Sequence, residues 1–202
     1  MKKILLLTAT LIAFAFVIPD NVLSKKERKE AVRLLKTTEK DLLSELKGLS
    51  EAQLKYKPAP DRWSVEECVK HIAVSELALR QMTDGIINQA ANPEKRSEIK
   101  VTDEQVIQMI ENREKKVQTM DKLKPENTSF KSTADALESF RANRSNLIGY
   151  VKTTMDDLRN HVAPLPIGQV DCYQMILFIG AHSNRHTQQI REVKADAGFP
   201  KN

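Results

Sequence analysis

The segment CYQMILFIGA, residues 172–181, decides the fold that this sequence predicts. It is apolar on nearly every side, and it belongs to a proline-free stretch that predicts a long helix over residues 169–197, with Gly198 as its C-terminal stop. A helix that is hydrophobic all round has to be buried. We therefore expect this helix to be the most buried element, with other helices packed around it.

Several upstream segments carry the apolar periodicity of amphipathic helices. Capping-box sequences begin at Ser50, Ser64 and Thr102, and proline-bearing segments separate the helical stretches. The predicted long helices cover residues 26–47, 64–89, 102–124, 133–159 and 169–197. Long helices with polar connections predict one all-α domain, an up-down four-helix bundle over residues 25–202 with any extra helix packed alongside. The segment HVAPLPIG, residues 161–168, is predicted as a connector.

Composition limits the class of protein. The chain has 202 residues, of which 41% are hydrophobic and 29% charged, which fits one globular domain. Its net charge of +5 comes from 32 basic and 27 acidic residues that are interspersed, as on solvated helix faces. Nucleic-acid binders more often show a one-sided basic patch with stacking aromatics, so no nucleic-acid partner is expected. Two cysteines cannot form a disulfide scaffold, although a pairing of Cys68 with Cys172 after export stays open.

The first 24 residues have the pattern of a targeting signal rather than of a part of the folded domain. Lys2 and Lys3 precede an apolar run over residues 4–18, which is short for a membrane span and typical of a signal peptide. Cleavage is predicted after Ser24, and an uncleaved anchor is the alternative. We expect a mature chain without a stable membrane span, exported to the periplasm or the extracellular space.

Three of the four histidines fall where a helical bundle can gather them. His182 and His186 lie four residues apart on the last predicted helix, so they project from one face. His71 lies on another helix, seven residues after the cap Ser64. Bundles build metal sites from side chains on facing helices, and three neutral imidazoles leave a coordination position open, as in catalytic sites. Spacing alone also allows three packed histidines without a metal.

Two segments resemble the DinB-like family, the YfiT and thiol-transferase superfamily of four-helix bundles. They are RWSVEECVKHIAVSE, residues 62–76, and GQVDCYQMILFIGAHSNRHTQQIREV, residues 168–193. The first matches a W-S-x-x-E-x-x-x-H-like pattern, and the second matches D-x-Y-Q-x-x-x-F-x-x-x-H-x-x-R-H-x-x-Q-I. The matching residues are Trp63, Ser64, Glu67, His71, Asp171, Tyr173, Gln174, Phe178, His182, Arg185, His186, Gln189 and Ile190.

The resemblance implies that His71, His182 and His186 are the ligands of one divalent metal ion, with zinc, nickel and iron all compatible with imidazole ligands. Relatives often carry a second histidine in the connector, where this chain has Leu165. His161 remains there, either as a group that supports the site or relays protons, or as a solvated loop histidine.

Two functional hypotheses follow. The first is a metal-dependent enzyme in which the ion activates water or a thiol, for hydrolysis or for thiol transfer to a small-molecule substrate. The second is an exported, non-catalytic module that binds a metal or a small molecule. A homodimer is compatible with either hypothesis.

Five further residues carry specific expectations. Cys68 is expected to be a small core residue rather than a site residue, and Trp63 a core anchor rather than a substrate platform. Arg144 is expected on a helix surface, with anion binding as the alternative, and Arg185 at a rim or in packing. Gln189 is expected to hydrogen-bond an imidazole.

Overall fold

The computed structural model of the protein describes residues 22–114 and 117–201, and the signal-peptide prediction falls almost wholly on residues outside these ranges. The regular elements, in chain order, are α1 (Lys25–Leu46), α2 (Glu51–Lys55), α3 (Val65–Ile87), α4 (Asp103–Glu111), α5 (Thr133–Thr153), β1 (Val162–Leu165), β2 (Gly168–Asp171) and α6 (Cys172–Lys194). Short 3₁₀ turns occupy Pro93–Glu98, Asp121–Leu123 and Pro125–Asn127. None of the described helices is both long and apolar enough to cross a membrane.

The helix α6 lies at the centre of the fold, as its apolar sequence predicts. It packs against α1, α3 and α4. The helix α5 packs against α1 and α3. The helix α1 packs closely on α6 at Gly180, where an added Cβ would lie 2.9 Å from the Leu34 side chain. The four long helices α1, α3, α5 and α6 therefore form the bundle, and α4 covers the outside of α6.

The directions of the helices in the bundle differ from the predicted up-down arrangement. Contacts along their lengths show that α1 runs parallel to α6, that α3 runs parallel to α5, and that these two pairs are antiparallel to each other. The pairs that show this are Glu27–Tyr173 and Glu45–Arg191 for α1 with α6, Glu66–Thr133 and Glu76–Arg144 for α3 with α5, and Arg28–Val151 and Leu35–Arg144 for α1 with α5. The chain thus runs up, down, down and up.

The length of one connection explains these helix directions. A strict up-down bundle needs short loops between neighbouring helices. Residues 88–132, between α3 and α5, instead form a long connection that contains α4 and returns the chain along the bundle to the end where α3 begins. Because of this return, α5 starts beside the start of α3 and runs parallel to it.

Helix starts were predictable, whereas helix ends were less so. Capping boxes at Ser50, Ser64 and Thr102 are present as predicted. The helix predicted to reach residue 124 ends at Glu111, because the polar run that follows offers no apolar stripe to bury. Similarly, α5 ends at Thr153 rather than near residue 159. The last helix ends at Lys194 with Ala195 as its cap, so Gly198 is not its stop.

A small β-hairpin spans the predicted connector and the first residues predicted for the last helix, which begins at Cys172 rather than at residue 169. The fold is therefore not purely helical. The strands β1 and β2 are antiparallel, with Val162 opposite Asp171 and Leu165 opposite Gly168. Their two-residue turn leads into Gly168, whose φ of +115° strains any other residue. Val162 and Val170 are buried, and this burial stabilises the hairpin against the bundle.

A charged side chain lies at the centre of the bundle, contrary to the expectation of a surface arginine. Arg144 on α5 is fully buried. It donates to both carboxylate oxygens of Glu76 on α3 at 2.7 and 2.6 Å, and to Thr38 and the Leu35 carbonyl on α1 and Ser183 on α6. One guanidinium therefore links all four long helices.

This network predicts a strongly non-additive response to mutation. Arg144→Met should lower the free energy of unfolding by roughly 3–5 kcal/mol, because it leaves the Glu76 carboxylate buried without its partner. Adding Glu76→Leu to that variant should recover part of the loss, as measured by urea denaturation. If the double variant loses as much stability as Arg144→Met and Glu76→Leu lose together when measured singly, the proposed coupling of Arg144 with Glu76 is wrong.

Candidate metal site

The three histidines that the sequence predicts as metal ligands lie close together in the bundle. His71 lies in the first half of α3, whereas His182 lies at the middle of α6 and His186 one turn further along it. Because α3 and α6 are antiparallel, these parts of the two helices lie side by side. The ligand atoms offered by the three residues all lie within 4.8 Å of one another. The ring centroids are 4.4 Å apart for His71–His186, 4.6 Å for His182–His186 and 5.1 Å for His71–His182.

Hydrogen bonds at the Nδ1 atoms determine which ring nitrogens are available to an ion. The Nδ1 of His71 lies 2.7 Å from the carbonyl oxygen of Leu123, and the Nδ1 of His186 lies 3.0 Å from Oε1 of Gln189. Both partners are acceptors, so each Nδ1 donates its proton. The Nε2 atoms of these two rings then carry the lone pairs, as metal-binding histidines require. At His71 the Ser75 hydroxyl oxygen lies 3.4 Å from Nε2. The expectation that Gln189 hydrogen-bonds an imidazole is confirmed.

Burial keeps the three imidazoles in the neutral form that binds metals. Burial lowers the pKa of His71, and it lowers the pKa of His182 and His186 well below the usual value. Mutual repulsion between the rings, which would be cations if protonated, lowers the pKa of His182 and His186 further. Neutral imidazoles at such separations fit one divalent ion with metal–nitrogen bonds of roughly 2.0–2.1 Å after small side-chain rotations.

Aromatic side chains form the walls of the cluster. Trp63, just before α3, stacks on His186 with ring centroids 5.7 Å apart and also contacts His71 at 4.8 Å. Phe178 lies nearly parallel to His182 at 6.1 Å. Trp63 is therefore more than a core anchor, because it contacts two of the three histidine rings. These walls limit the access of water to the rings.

The rim of the cluster includes residues that the sequence did not indicate. Arg113 follows the end of α4 and contacts Glu192 and Gln189 on α6. The carbonyl of Leu123 belongs to the same connection between α3 and α5. No sequence motif marks either contact, because both depend on the path that this connection takes. Arg185 packs as expected and donates to the carbonyl oxygens of Ile110 and Asn112.

His161 lies far from the cluster. Its Nδ1 faces the carbonyl oxygen of Asp157 at 2.7 Å, and its Nε2 faces that of Gln89, beyond the opposite end of α3, at 3.1 Å. The ring is buried. His161 is thus neither a partner of the three histidines nor a solvated loop residue, and its contacts join the connector to the end of α3.

The two cysteines are free and widely separated. Cys68 lies near the start of α3, whereas Cys172 contacts the carbonyl of Thr83, 15 residues and therefore roughly 22 Å further along that helix. The disulfide that the sequence left open is not formed. Burial raises the pKa of the Cys172 thiol to about 12 and that of Cys68 further still, so neither is a ready nucleophile. Cys68 is a core residue, as expected.

The fold and the cluster together define a class: helical bundles with a three-histidine site between antiparallel helices. Comparison with known proteins gives the family. The family model of the DinB superfamily matches residues 34–190, and the chain belongs to this family.

Two relatives illustrate the likeness. The uncharacterized protein YuaE of Bacillus subtilis (strain 168) is 27% identical over 152 residues, which cover 75% of this chain and 89% of YuaE. The solved structure of YfiT from Bacillus subtilis superimposes with a TM-score of 0.59 at 14% identity, covering 90% of this chain and 94% of YfiT. YfiT is described as a probable metal-dependent hydrolase with an unusual four-helix bundle topology. At this identity the likeness concerns the fold.

The lowered pKa values predict how the stability of the metal-free protein depends on pH. Unfolded histidines take up protons near pH 6.5, whereas the three rings of the cluster stay neutral to lower pH. The unfolded state then binds more protons, so stability is complete above pH 6.5 and falls as the pH decreases towards the folded pKa values. Each group contributes a slope of at most about 1.4 kcal/mol per pH unit.

Urea denaturation of the chelator-treated protein between pH 8 and 5 measures this slope. His182→Gln removes one of the three groups and should give a shallower decline than the wild type. Equal slopes for the two proteins would contradict the assignment of neutral buried imidazoles.

Proposed function

We propose that the protein is a metal-dependent enzyme that activates water, for hydrolysis, or a thiol, for transfer to a small-molecule substrate. One observation carries this proposal: three neutral imidazoles on two helices present their ligand atoms within 4.8 Å of one another. Three protein ligands leave a coordination position for water or substrate, as catalytic sites do. The description of YfiT as a probable metal-dependent hydrolase supports the same chemistry for a protein of this fold.

The ligand set favours Lewis-acid chemistry. His71, His182 and His186 would hold a divalent ion, with zinc, nickel and iron compatible with imidazoles. Because all three ligands are neutral, they leave the charge of the ion uncompensated, and a bound ion would supply a lowered pKa to water or a thiol coordinated there.

The surrounding residues prepare the site. The carbonyl of Leu123 and Oε1 of Gln189 hold the protons at Nδ1 of His71 and His186. Trp63 and Phe178 exclude water from the faces of the rings that they cover. With less competing water, the charge of a bound ion would act more strongly on a substrate.

The second candidate is an exported, non-catalytic module that binds a metal or a small molecule. It shares the same three histidines. One observation favours it: the polar side chains described around the cluster already form ion pairs or hydrogen bonds with one another, as Arg113 does with Glu192. Turnover separates the two candidates.

Metal analysis and an activity screen test the proposal together. The wild type, loaded with zinc, nickel or iron and then dialysed, should carry about one ion per chain, whereas His71→Ala and His182→Ala should carry almost none. His161→Gln is the matched control, since it removes a buried histidine outside the cluster and should retain the ion. Circular dichroism confirms that each variant is folded.

The metal-loaded proteins are then assayed on ester and amide panels and on thiols with electrophiles. Turnover by the wild type that is lost in His182→Ala supports the enzyme, and the panel that responds assigns hydrolysis or thiol transfer. Bound metal without turnover favours the binding module. Equal, near-zero metal in the wild type and His182→Ala would overturn both candidates.

We also propose that the protein is exported and that its signal peptide is cleaved before Leu23 rather than after Ser24. The support is that the bundle uses both residues. Leu23 is buried in the core, and Ser24 caps α1 in a capping box with Glu27. A cut after Ser24 would remove a cap and a buried leucine from the folded domain.

Two chains that differ only at their start test this proposal. A chain beginning at Lys25 should be roughly 2.5–4 kcal/mol less stable than one beginning at Val22, from about 1 kcal/mol for the cap and about 1.5–3 kcal/mol for the leucine. Equal stability in urea would contradict the role of these residues. The intact mass of the exported protein locates the cut, and light scattering of the same sample decides between monomer and homodimer.

A further inference from the structure

Arg113 is held against α6 by a charged partner. Its Nε and Nη2 atoms donate to the two carboxylate oxygens of Glu192 at 2.9 and 2.7 Å, a two-point contact that fixes the plane of the guanidinium. The remaining Nη1 donates to Oε1 of Gln189 at 3.3 Å. Arg113, just after the end of α4, therefore contacts Gln189, which in turn contacts the histidine cluster.

This contact determines the orientation of the Gln189 amide. An amide side chain can turn either its oxygen or its NH₂ group towards a neighbour, but a guanidinium has only donors. Gln189 must therefore direct its oxygen towards Arg113. The same oxygen lies 3.0 Å from Nδ1 of His186, so the imidazole must donate at Nδ1.

The consequence concerns the proton on His186. A neutral imidazole can carry its proton on either nitrogen, and the partner of one nitrogen selects the tautomer. An amide turned the other way would present an NH₂ group, which favours a lone pair on Nδ1 and a proton on Nε2. That tautomer points a proton, rather than a lone pair, at the other two histidines.

We propose that Arg113 is a positioning residue that, through Gln189, fixes His186 in the tautomer that binds a metal. The proposal rests on the proposed metal site for its purpose, although the tautomer itself is a property of the metal-free chain. The order of dependence runs from Glu192 to Arg113, then to Gln189, and finally to His186.

The chain contains a matched control and an internal reference. Arg62 contacts the same carboxylate of Glu192 at 3.4 Å, but among the described residues the donors to Gln189 Oε1 are Arg113 and His186. His71 donates to a backbone carbonyl, which cannot turn over. Loss of Arg113 should therefore change the tautomer of His186 and leave that of His71 unchanged.

Two measurements on the full chain test the proposal. Nitrogen-15 NMR of the metal-free protein at pH 8 reports the tautomer of each histidine, and competition with a chelator gives the Zn²⁺ affinity. Arg113→Met should shift His186 towards the Nε2–H tautomer and weaken Zn²⁺ binding about 10–100-fold, the usual range for loss of a group that orients a ligand. Arg62→Met should match the wild type in both measurements.

A further variant provides a rescue. Gln189→Glu has two acceptor oxygens, so its orientation does not depend on Arg113. In that background Arg113→Met should leave the His186 tautomer unchanged.

An unchanged His186 tautomer in Arg113→Met would overturn the proposal, as would an equal effect of Arg62→Met on the tautomer. If the wild type binds no Zn²⁺, the proposed function fails, while the NMR result still decides whether Arg113 sets the tautomer.

Discussion

The carboxylate of Glu76 and the guanidinium of Arg144 meet at the point where the four long helices converge, and the positions of the histidines depend on this contact. A buried charge without its partner costs several kcal/mol, so the helices cannot slide past one another without breaking the pair. Glu76 lies five residues after His71, and Ser183, which also accepts from Arg144, is adjacent to His182. The ion pair therefore fixes α3 against α6 close to the site, where a shift of one turn would separate the imidazoles.

The long connection between α3 and α5 has two consequences for the site. It returns the chain along the bundle, which makes α3 parallel to α5 and breaks the up-down order. It also passes beside the histidines, where the carbonyl of Leu123 meets His71 and Arg113 meets Gln189. The α3–α6 pair supplies the three imidazoles, and the connection supplies contacts that orient two of them. The topology of the bundle and the chemistry of its site are thus linked in one segment.

The sequence predicted local features well and long-range contacts poorly. Capping boxes and apolar stripes identify the helices because both signals depend on residues three or four apart. The family resemblance pointed to His71, His182 and His186, which the structure brings together. The path of residues 88–132 could not be predicted, since many routes satisfy the same polar sequence. Nor could the burial of Arg144, because the residues that compensate its charge come from three other helices.

We propose that the antiparallel helices α3 and α6 build one metal site from three imidazoles. The most direct test is a crystal structure of the zinc-loaded protein with diffraction data collected on both sides of the zinc absorption edge. We expect one anomalous peak per chain, bonded to Nε2 of His71 and His186 and to a ring nitrogen of His182. No peak among these residues at full zinc loading, or a peak bonded to other side chains, would contradict it.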